Sequence, residues 1–351
     1  MNKVNRTLII LSPGFPKDEA DTTCLPFLQT FVRSLNQVDP TLKILVLAFQ
    51  YPFTSKEYVW ENVNVIAFNG KNKGRIHKLF LWSRVWRTIK KMVRENNVIG
   101  FFNLWLGECA LMGRHASKKY NLPSYSWLLG QDAKEDNKYI SRIKPNPKSL
   151  IAMSDFLADN FEKNFKIRPQ HVIPLGVDKN LFAQPLGERT IDILGAGSLI
   201  ALKQYDVFIE MVIKLAVKRP YINAFILGEG KERNKLQKII DDNNVGNNIK
   251  LVGEKDHTTV LSLMQQSKIF LHPSAYEGFG TVCAEALYAG AKLVSFVKPM
   301  KREFKNWFIV ETEMDMVKKL EDLLDDRNAE YERVLVYNSE EIGRQVLSLY
   351  R

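Results

Sequence analysis

Short apolar segments alternate along the chain with longer segments whose apolar residues have helical spacing. The short segments predict buried strands, and the longer ones predict amphipathic helices. The predicted strands are 8–11, 44–48, 63–68, 98–102, 124–129, 191–194, 224–227, 249–252, 269–271 and 292–296. The predicted helices include 25–35, 79–95, 204–217, 231–241, 258–266, 281–288, 316–325 and 339–350.

This alternation of strands and helices indicates parallel sheets covered by helices. We predict an α/β fold with two doubly wound, Rossmann-like domains, residues 1–171 and 172–335, followed by a helix in residues 336–351. Open sheets of this type bind ligands beyond the carboxyl ends of their strands. We therefore expect the two domains to face each other across a cleft.

Length, cysteine content and hydropathy exclude several classes of protein. The 351 residues suffice for two domains of ordinary size. Three widely separated cysteines, Cys24, Cys109 and Cys283, favour a reducing compartment rather than a disulfide framework. No apolar run approaches the roughly 20 residues of a membrane-spanning helix, and 7–11 is too short for a signal-peptide core. We therefore predict a cytoplasmic location.

The excess of positive over negative charge lies entirely in the first half of the chain. Residues 1–175 contain 26 Lys and Arg against 14 Asp and Glu, a net charge of +12, whereas the remainder has 24 against 25, a net of −1. Such an asymmetry bears on which binding partners the protein attracts, and it says nothing about the fold.

Two glutamates bracket the stretch with the clearest chemistry, Glu277-Gly-Phe-Gly-Thr-Val-Cys-Ala-Glu285. An apolar strand and a His-Pro-Ser turn precede it, and an Ala-rich helix follows its glycine loop. A strand, a glycine loop and a helix N-terminus in this order favour an anion site, because free N–H groups and the helix dipole point at the anion. Carboxylates accept hydrogen bonds from the vicinal hydroxyls of sugars.

This stretch resembles the EX7E signature of retaining glycosyltransferases, in particular family 4 (glycosyl transferases group 1), which have the GT-B fold. The resemblance implies that Glu285 holds the ribose hydroxyls and that Glu277 and the amides of Gly278 and Phe279 hold the sugar. The amides around Gly280 and Thr281 would hold the diphosphate. It also implies a final helix that crosses back to the first domain, an acceptor-binding first domain, a nucleotide-sugar-binding second domain and catalysis without metal.

A second match begins at Gly197-Ser198-Leu199 and continues to Lys203-Gln204-Tyr205-Asp206. It is similar to the family's G-R-L-x-x-x-K-G-x-D, in which the lysine neutralises the donor diphosphate. A lysine there suits a leaving group that gains negative charge as the glycosidic bond breaks. Ser198 replaces the family's arginine. The glycines do not complete a dinucleotide fingerprint, which argues against an oxidoreductase.

Four further segments match the family less specifically. The segment 172–178 resembles the opening of the second domain, and Gly228 and Gly230 resemble the G-x-G turn near the base. Val252 resembles a strand end that reads the base. Gly14 resembles the first glycine loop, where the absence of Cβ allows close approach to a phosphate.

The segment Leu129-Gly130-Gln131-Asp132 resembles the family's H-G-x-D, with Leu129 in place of histidine. Asp132 is a candidate for contact with the acceptor hydroxyl, and a helix N-cap is the structural alternative. His272 is expected to be packed and hydrogen-bonded, and no histidine spacing predicts a metal site. We predict no cofactor, with a UDP- or GDP-sugar as substrate.

Residues 71–94 contain nine Lys and Arg and no acidic residue. Apolar residues recur there at helical spacing, which is typical of a helix that lies in an anionic membrane interface, although an ordinary domain helix is the alternative. The residues assigned to this membrane or acceptor side are Trp82, Arg84, Trp86, Arg87, Lys90 and Lys91. No nucleic-acid-binding motif is present.

Taken together, the motifs predict a retaining glycosyltransferase that moves a hexose-type sugar to a glycan or lipid-linked acceptor in polysaccharide or glycoconjugate synthesis. Glu277, Lys203 and Asp132 are the catalytic candidates. The nonstandard Ser198 and Leu129 leave open a GT-B protein that binds sugar nucleotides without turnover. A GT-B epimerase is a second alternative.

Overall fold

A computed structural model describes residues 6–183 and 188–351. The chain forms two compact units. The N-terminal unit extends to Gly176 and includes Ser339–Arg351, and the C-terminal unit is Val177–Asn338. The corresponding domain limits predicted from the sequence are 171/172 and 335/336.

The N-terminal unit contains an eight-stranded sheet of order β3-β4-β2-β1-β5-β6-β7-β8. Its strands are β1 (Arg6–Gly14), β2 (Lys43–Tyr51), β3 (Lys56–Trp60), β4 (Val63–Ala67), β5 (Asn97–Leu104), β6 (Ser124–Leu128), β7 (Leu150–Ala152) and β8 (His171–Val172). Its helices are α1 (Pro26–Val38), α2 (Arg75–Glu95), α3 (Glu108–Tyr120), α4 (Ile140–Ile143), α5 (Asp155–Phe165) and, from the end of the chain, α11 (Ser339–Ser348).

The sheet of the N-terminal unit is parallel except for the pair β3 and β4, which is antiparallel. Central strands are buried on both faces, as β1 shows with Leu8 to Leu11 completely inaccessible. Burial on both faces explains why these strands are continuous apolar runs rather than alternating ones.

The final helix, α11, packs on α1 of the N-terminal unit. A Cβ at Gly343 would lie 3.1 Å from Ser34 Oγ, so a residue without a side chain allows the two helices to approach closely. Beyond the helix, the Tyr350 hydroxyl donates to Phe101 O at 2.7 Å, and the Tyr125 hydroxyl donates to Leu349 O at 2.9 Å. The final helix therefore belongs to the first unit.

The C-terminal unit contains a six-stranded parallel sheet of order β11-β10-β9-β12-β13-β14. Its strands are β9 (Ile191–Ala196), β10 (Ala224–Leu227), β11 (Ile249–Gly253), β12 (Ser267–His272), β13 (Lys292–Ser295) and β14 (Trp307–Ile309). Its helices are α6 (Tyr205–Ala216), α7 (Arg233–Asp242), α8 (His257–Gln265), α9 (Thr281–Tyr288) and α10 (Glu313–Asp325).

The core of the C-terminal unit forms where α6 packs on the sheet. Phe208 and Val212 of α6 contact a cluster that includes Ile193 of β9 and Ile226 of β10, all of them completely buried. This packing supplies the apolar burial that holds short parallel strands in register. The prediction of two Rossmann-like α/β units is confirmed.

Four strands were not predicted from the sequence. β7, β8 and β14 are only three, two and three residues long, too short to give a periodic signal. β3 alternates charged and apolar residues at the sheet edge, where Lys56 and Glu57 are exposed and Trp60 is buried. Within the described residues, every helix is too short or too polar to cross a membrane.

Candidate functional site

The carboxyl ends of β9 and β12 form the centre of the candidate site. The chain runs from β9 outward to β10 and β11, then returns to place β12 on the other side of β9. In open α/β sheets, this change of direction leaves a crevice in which ligands bind. Gly197 follows β9 and His272 ends β12, so both motifs of the sequence analysis lie at this point.

Lys203, His272 and Glu277 form a hydrogen-bonded cluster at the crevice. Glu277 Oε2 accepts from Lys203 Nζ in a close ion pair and lies 3.0 Å from His272 Nε2. Glu277 Oε1 accepts from the N–H of Gly278 at 3.1 Å. The motif predicted that Lys203 contacts a diphosphate, whereas in this structure its partner is Glu277, another catalytic candidate.

The cluster keeps Glu277 ionised. Burial on its own would raise the pKa of Glu277, but the hydrogen bond from His272 and the charge of Lys203 outweigh burial and lower it to about 2. Burial lowers the pKa of His272, with a further lowering contribution from Lys203. A neutral His272 then donates from Nε2 to a carboxylate that accepts hydrogen bonds and carries no proton to give.

Backbone contacts fix the position of Lys203. A single 3₁₀ turn, Ala201–Lys203, is followed by Gln204 in the left-handed conformation, after which α6 begins. The loop after β12 is tied to this turn, because Leu202 O accepts from Ala275 N at 3.1 Å and from Ser274 Oγ at 3.2 Å. The loop after β9 and the loop after β12 therefore hold each other in place.

The start of α9 offers backbone donors beside the cluster. Gly280 has φ +72°, and a Cβ there would lie 3.2 Å from Glu277 Cγ and 3.0 Å from Cys283 Sγ. Gly280 O accepts from the N–H groups of Cys283 and Ala284. The N–H groups of Thr281 and Val282, also in the first turn, remain as anion donors of the kind found at helix N-termini.

Glu285 lies in the second turn of α9 and pairs with a histidine that the sequence analysis did not assign to the site. Its Oε1 is 2.8 Å from His257 Nε2, and both side chains are only 13% exposed. His257 is the first residue of α8. Each glutamate of the motif thus pairs with a different histidine, since His272 is the partner of Glu277. The expectation that His272 is packed and hydrogen-bonded agrees with its burial.

Tyr205 is a second residue that the motif analysis overlooked. Its ring is buried at the start of α6, and its hydroxyl has no hydrogen-bond partner among the described residues. A Cβ built on Gly197 would lie 3.1 Å from this hydroxyl. A buried hydroxyl without a partner is costly, and this one lies beside the loop that follows β9.

Residues 177–342 match the family model described as glycosyl transferases group 1. This segment is just under half of the chain, and over it the chain is similar to that family. The match spans the C-terminal unit, with both glutamates and Lys203, and the resemblance stated from the motifs is confirmed.

One similar protein is the GtfA subunit of a UDP-N-acetylglucosamine–peptide N-acetylglucosaminyltransferase from Streptococcus agalactiae. It is 32% identical over 163 residues, which are 46% of this chain and 30% of the relative. The chain therefore spans less than a third of that relative's length.

Two solved structures share the fold over nearly the whole chain. Sucrose-phosphate synthase from Thermosynechococcus elongatus has a TM-score of 0.74 at 14% identity. The match covers 99% of this chain and 98% of the synthase chain. Anabaena HepE in complex with UDP and glucose has a TM-score of 0.67 at 18% identity, with coverages of 97% and 96%. These likenesses establish the GT-B fold of this chain.

Contact between two loops requires glycine at positions 228 and 230, a reason that the sequence did not suggest. A Cβ at Gly228 would lie 2.0 Å from Gly197 O, and one at Gly230 would lie 2.3 Å from Leu199 O. The backbones of the loops after β9 and β10 also bond directly, as in Leu199 N to Glu229 O at 2.9 Å. These glycines allow two loops to touch, and their contact with a nucleotide base stays a prediction.

The remaining donor-side predictions fall in three environments. Ser198 is exposed beyond β9, and Val252 is half-buried near the end of β11. Gly278 is buried. The ring of Phe279 is completely buried against Tyr337, at a centroid distance of 5.7 Å, so only its backbone is available for binding.

Gly14 and Asp132 belong to the N-terminal unit. Gly14 is buried at the end of β1, where a Cβ would meet Tyr51 Cβ at 3.4 Å and Cys24 Sγ at 3.7 Å. The need for a glycine is therefore modest at this position, and its phosphate contact stays a prediction.

Asp132 is not a helix N-cap. It is the third residue of a 3₁₀ turn, Gly130–Ala133, and its Oδ2 accepts from the N–H of Leu129 at 2.9 Å. Burial raises the pKa of Asp132 to about 7, against the lowering effect of hydrogen bonds from the Leu129 and Leu106 N–H groups. The Asp132 carboxyl group thus stabilises the turn in which it lies. Its contact with a sugar acceptor stays a prediction.

The structure corrects the membrane face proposed for α2. Trp82 and Trp86 pack against the core of the N-terminal unit, and Trp82 Nε1 donates to Glu108 Oε2 at 3.0 Å. Arg84 is also engaged, because it donates to Phe68 O at 3.1 Å and to Ser55 Oγ. The interpretation of both tryptophans as part of a free apolar face is wrong.

The exposed residues of α2 lie elsewhere. Ile76, Leu79 and Phe80 near its start are 69%, 64% and 68% exposed. Arg87, Lys90 and Lys91 are exposed, and Lys90 Nζ lies 5.8 Å from the centroid of the Trp86 ring. The first turns of the helix, rather than its tryptophan side, present apolar groups to solvent.

Proposed function

We propose that this chain is a retaining glycosyltransferase that moves a hexose-type sugar from a nucleotide diphosphate sugar to a glycan or lipid-linked acceptor. The observation that carries the proposal is the ionised Glu277 held by Lys203 and His272 at the strand switch point. A half-buried anion beside a cation and the first amides of a helix provides both an acceptor for hydroxyls and donors for phosphate.

In the proposed donor complex, the diphosphate competes with Glu277 for Lys203. Glu277 already accepts three hydrogen bonds, from Lys203, His272 and its neighbour Gly278. Since a carboxylate has about four acceptor positions, it retains about one for a sugar hydroxyl and gains another when Lys203 turns to phosphate. Charge on the leaving diphosphate is then stabilised by Lys203 and by the N–H groups of Thr281 and Val282.

Catalysis of this kind consists of positioning and charge stabilisation. Glu277 stays ionised and hydrogen-bonded, so it orients the sugar and does not deliver a proton. The acceptor hydroxyl would attack on the face from which the diphosphate departs, and a phosphate oxygen would take its proton. Binding both substrates in this geometry removes much of the entropic barrier. Glu285, oriented by His257, is proposed to hold the ribose hydroxyls.

UDP-N-acetylglucosamine is the first donor to test, because the name of the Streptococcus agalactiae relative specifies that sugar nucleotide. Incubation with a panel of UDP- and GDP-sugars is expected to release the nucleoside diphosphate slowly without acceptor and faster with one. The anomeric proton of the transferred sugar, followed by NMR, is expected to keep the donor configuration. Binding with no release for any donor and acceptor would favour the non-catalytic alternative, and an epimer formed without acceptor would favour the epimerase.

We further propose reversible attachment of α2 to an anionic membrane surface, through its exposed start and its outward cations. Replacing Arg87, Lys90 and Lys91 by Glu is expected to weaken binding to anionic vesicles roughly a hundredfold or more, because each basic group near such a surface contributes on the order of 1 kcal/mol. Vesicle sedimentation measures this. The control replaces Lys163, Lys250 and Lys255, which are exposed cations elsewhere. Equal loss in both triple variants, or equal recovery on neutral vesicles, would contradict the attachment.

A further inference from the structure

A cavity lies in the N-terminal unit, at the edge of the sheet where β6 and β7 begin. Its volume is about 320 Å³. Its walls come from the second half of α3, the first residues of β6 and the segment before β7. Prominent among them are Arg114, Lys118, Ser124, Ser126 and Lys148. This volume falls within the range of sites for small ligands.

The cavity is strongly electropositive. Arg114, Lys118 and Lys148 line it, and its lining contains no Asp or Glu. Arg114 is half-buried, whereas Lys118 and Lys148 are exposed, and none of the three side chains has an acidic partner within the described parts of the chain. Partial removal of the Arg114 charge from water without a partner is unfavourable, and an anion in the cavity would compensate it. The unpaired cations therefore point to an anionic ligand.

Two serine hydroxyls supply fixed donors in the same cavity. Ser124 and Ser126 are two residues apart on β6, so their side chains share one face. Each oxygen accepts from the buried amide of Asn103, at 3.0 and 3.1 Å. Neither hydroxyl has an acceptor for its own hydrogen among the described residues. Each hydroxyl oxygen thus accepts one hydrogen bond from Asn103, and its hydrogen can be donated to a ligand.

The side chain of Asn103, which donates to both serines, is itself fixed in position. A Cβ on Gly113 of α3 would lie 1.8 Å from Asn103 Oδ1, so the bare glycine backbone leaves room for the Asn103 side chain. Asn103 pairs directly with Ser126 across β5 and β6. The donors are thus held by main-chain register and close packing rather than by flexible surface groups.

This cavity is separate from the Asp132 loop. Ser124 begins β6, whereas Asp132 follows its carboxyl end, and four strand steps alone span about 13 Å. Ligands of doubly wound sheets bind at the carboxyl ends of the strands, so a site at the opposite edge has a different task.

We infer that this cavity binds the phosphoryl group of a small phosphate ester. A phosphate dianion presents three terminal oxygens and two charges, which match three cations and two hydroxyl donors better than the single charge of a carboxylate does. The remaining volume accommodates a sugar-sized substituent against Pro123, Ile143 and Pro145. The inference does not depend on the proposed transferase activity, since the residues proposed to bind the nucleotide sugar lie in the C-terminal unit.

Isothermal titration of the full chain with a hexose 6-phosphate and, separately, with inorganic phosphate tests this inference. We expect saturable 1:1 binding, tighter for the ester. Arg114→Gln is expected to weaken the ester at least about tenfold, because a charge-assisted hydrogen bond contributes on that scale. Ser126→Ala should weaken it several-fold. Lys119→Gln, an exposed neighbour outside the cavity lining, and Lys203→Ala should both leave the dissociation constant unchanged.

Three results would overturn the site. The first is no saturable binding of either probe. The second is equal binding by wild type, Arg114→Gln and Ser126→Ala, with melting temperatures showing that both variants fold. The third is loss of binding in Lys203→Ala, which would place the phosphate in the other unit. Tighter binding of inorganic phosphate than of the ester would overturn the assignment to an ester. If Ser126→Ala does not fold, Lys118→Gln replaces it with the same expected direction.

Discussion

Replacing Lys203 by Ala is expected to lower donor turnover roughly 100- to 1000-fold, the scale on which a single stabilising group at a developing negative charge contributes. Lys203 supplies the cation nearest to Glu277, and the leaving diphosphate of the proposed reaction needs that charge. Nucleoside diphosphate release from the best donor, at saturating concentration, measures the effect.

The same substitution removes the ion-pair partner of Glu277. His272 and the Gly278 N–H still hold the carboxylate, so the unit should fold. Lys238→Ala is the matched control, since Lys238 is an exposed lysine of the same unit that pairs with Asp242 at 2.6 Å, away from the crevice. Turnover above half of wild type in Lys203→Ala, with the control unchanged, would contradict the role proposed for Lys203.

Gly228→Ala is expected to destabilise the C-terminal unit strongly, although it adds a single methyl group. The new Cβ would meet Gly197 O at 2.0 Å, and φ at Gly228 is +133°, a region that residues with side chains rarely adopt. Because the obstacle is backbone, one loop must move, and we expect a cost of about 3 kcal/mol or more. For a unit of this size, that corresponds to a fall in melting temperature of roughly 6–12 °C.

Gly246→Ala provides the control for this substitution. Gly246 lies in the same unit, and a Cβ there would meet nothing within 4 Å. Thermal unfolding of both variants without ligand separates a packing role from nucleotide binding. A Gly228→Ala protein that melts with wild type but binds UDP poorly would contradict the packing explanation and favour a direct contact with the base.

Local signals predicted the supporting elements of the site closely. The predicted helix 281–288 coincides with α9, because Gly280 and Gly290 adopt left-handed conformations at its two ends. Apolar runs located β9 and β12, whose strand ends position the motifs. The family resemblance singled out Lys203 and both glutamates, and the structure places Lys203 and Glu277 in contact.

Side-chain partners could not be predicted in the same way. The pair of His257 and Glu285 joins α8 to α9 across 28 residues, and no spacing rule anticipates it. The tryptophans of α2 gave an apolar stripe that fits a membrane or a domain core equally well, and only the position of β5 and α3 behind the helix decides between them. The glycines of the β10 loop likewise depend on the neighbouring loop.

Titration of the protein with UDP and GDP tests the central claim most directly, namely that Glu277, Lys203 and Glu285 serve one nucleotide diphosphate site. We predict 1:1 binding of at least one of the two, weakened about tenfold or more in Glu285→Ala, because a hydrogen bond to a charged group contributes on that scale. Glu254→Ala, at an exposed glutamate of the same unit, should bind as wild type does. Equal affinity of wild type and Glu285→Ala, or no binding of either nucleotide, would contradict the account.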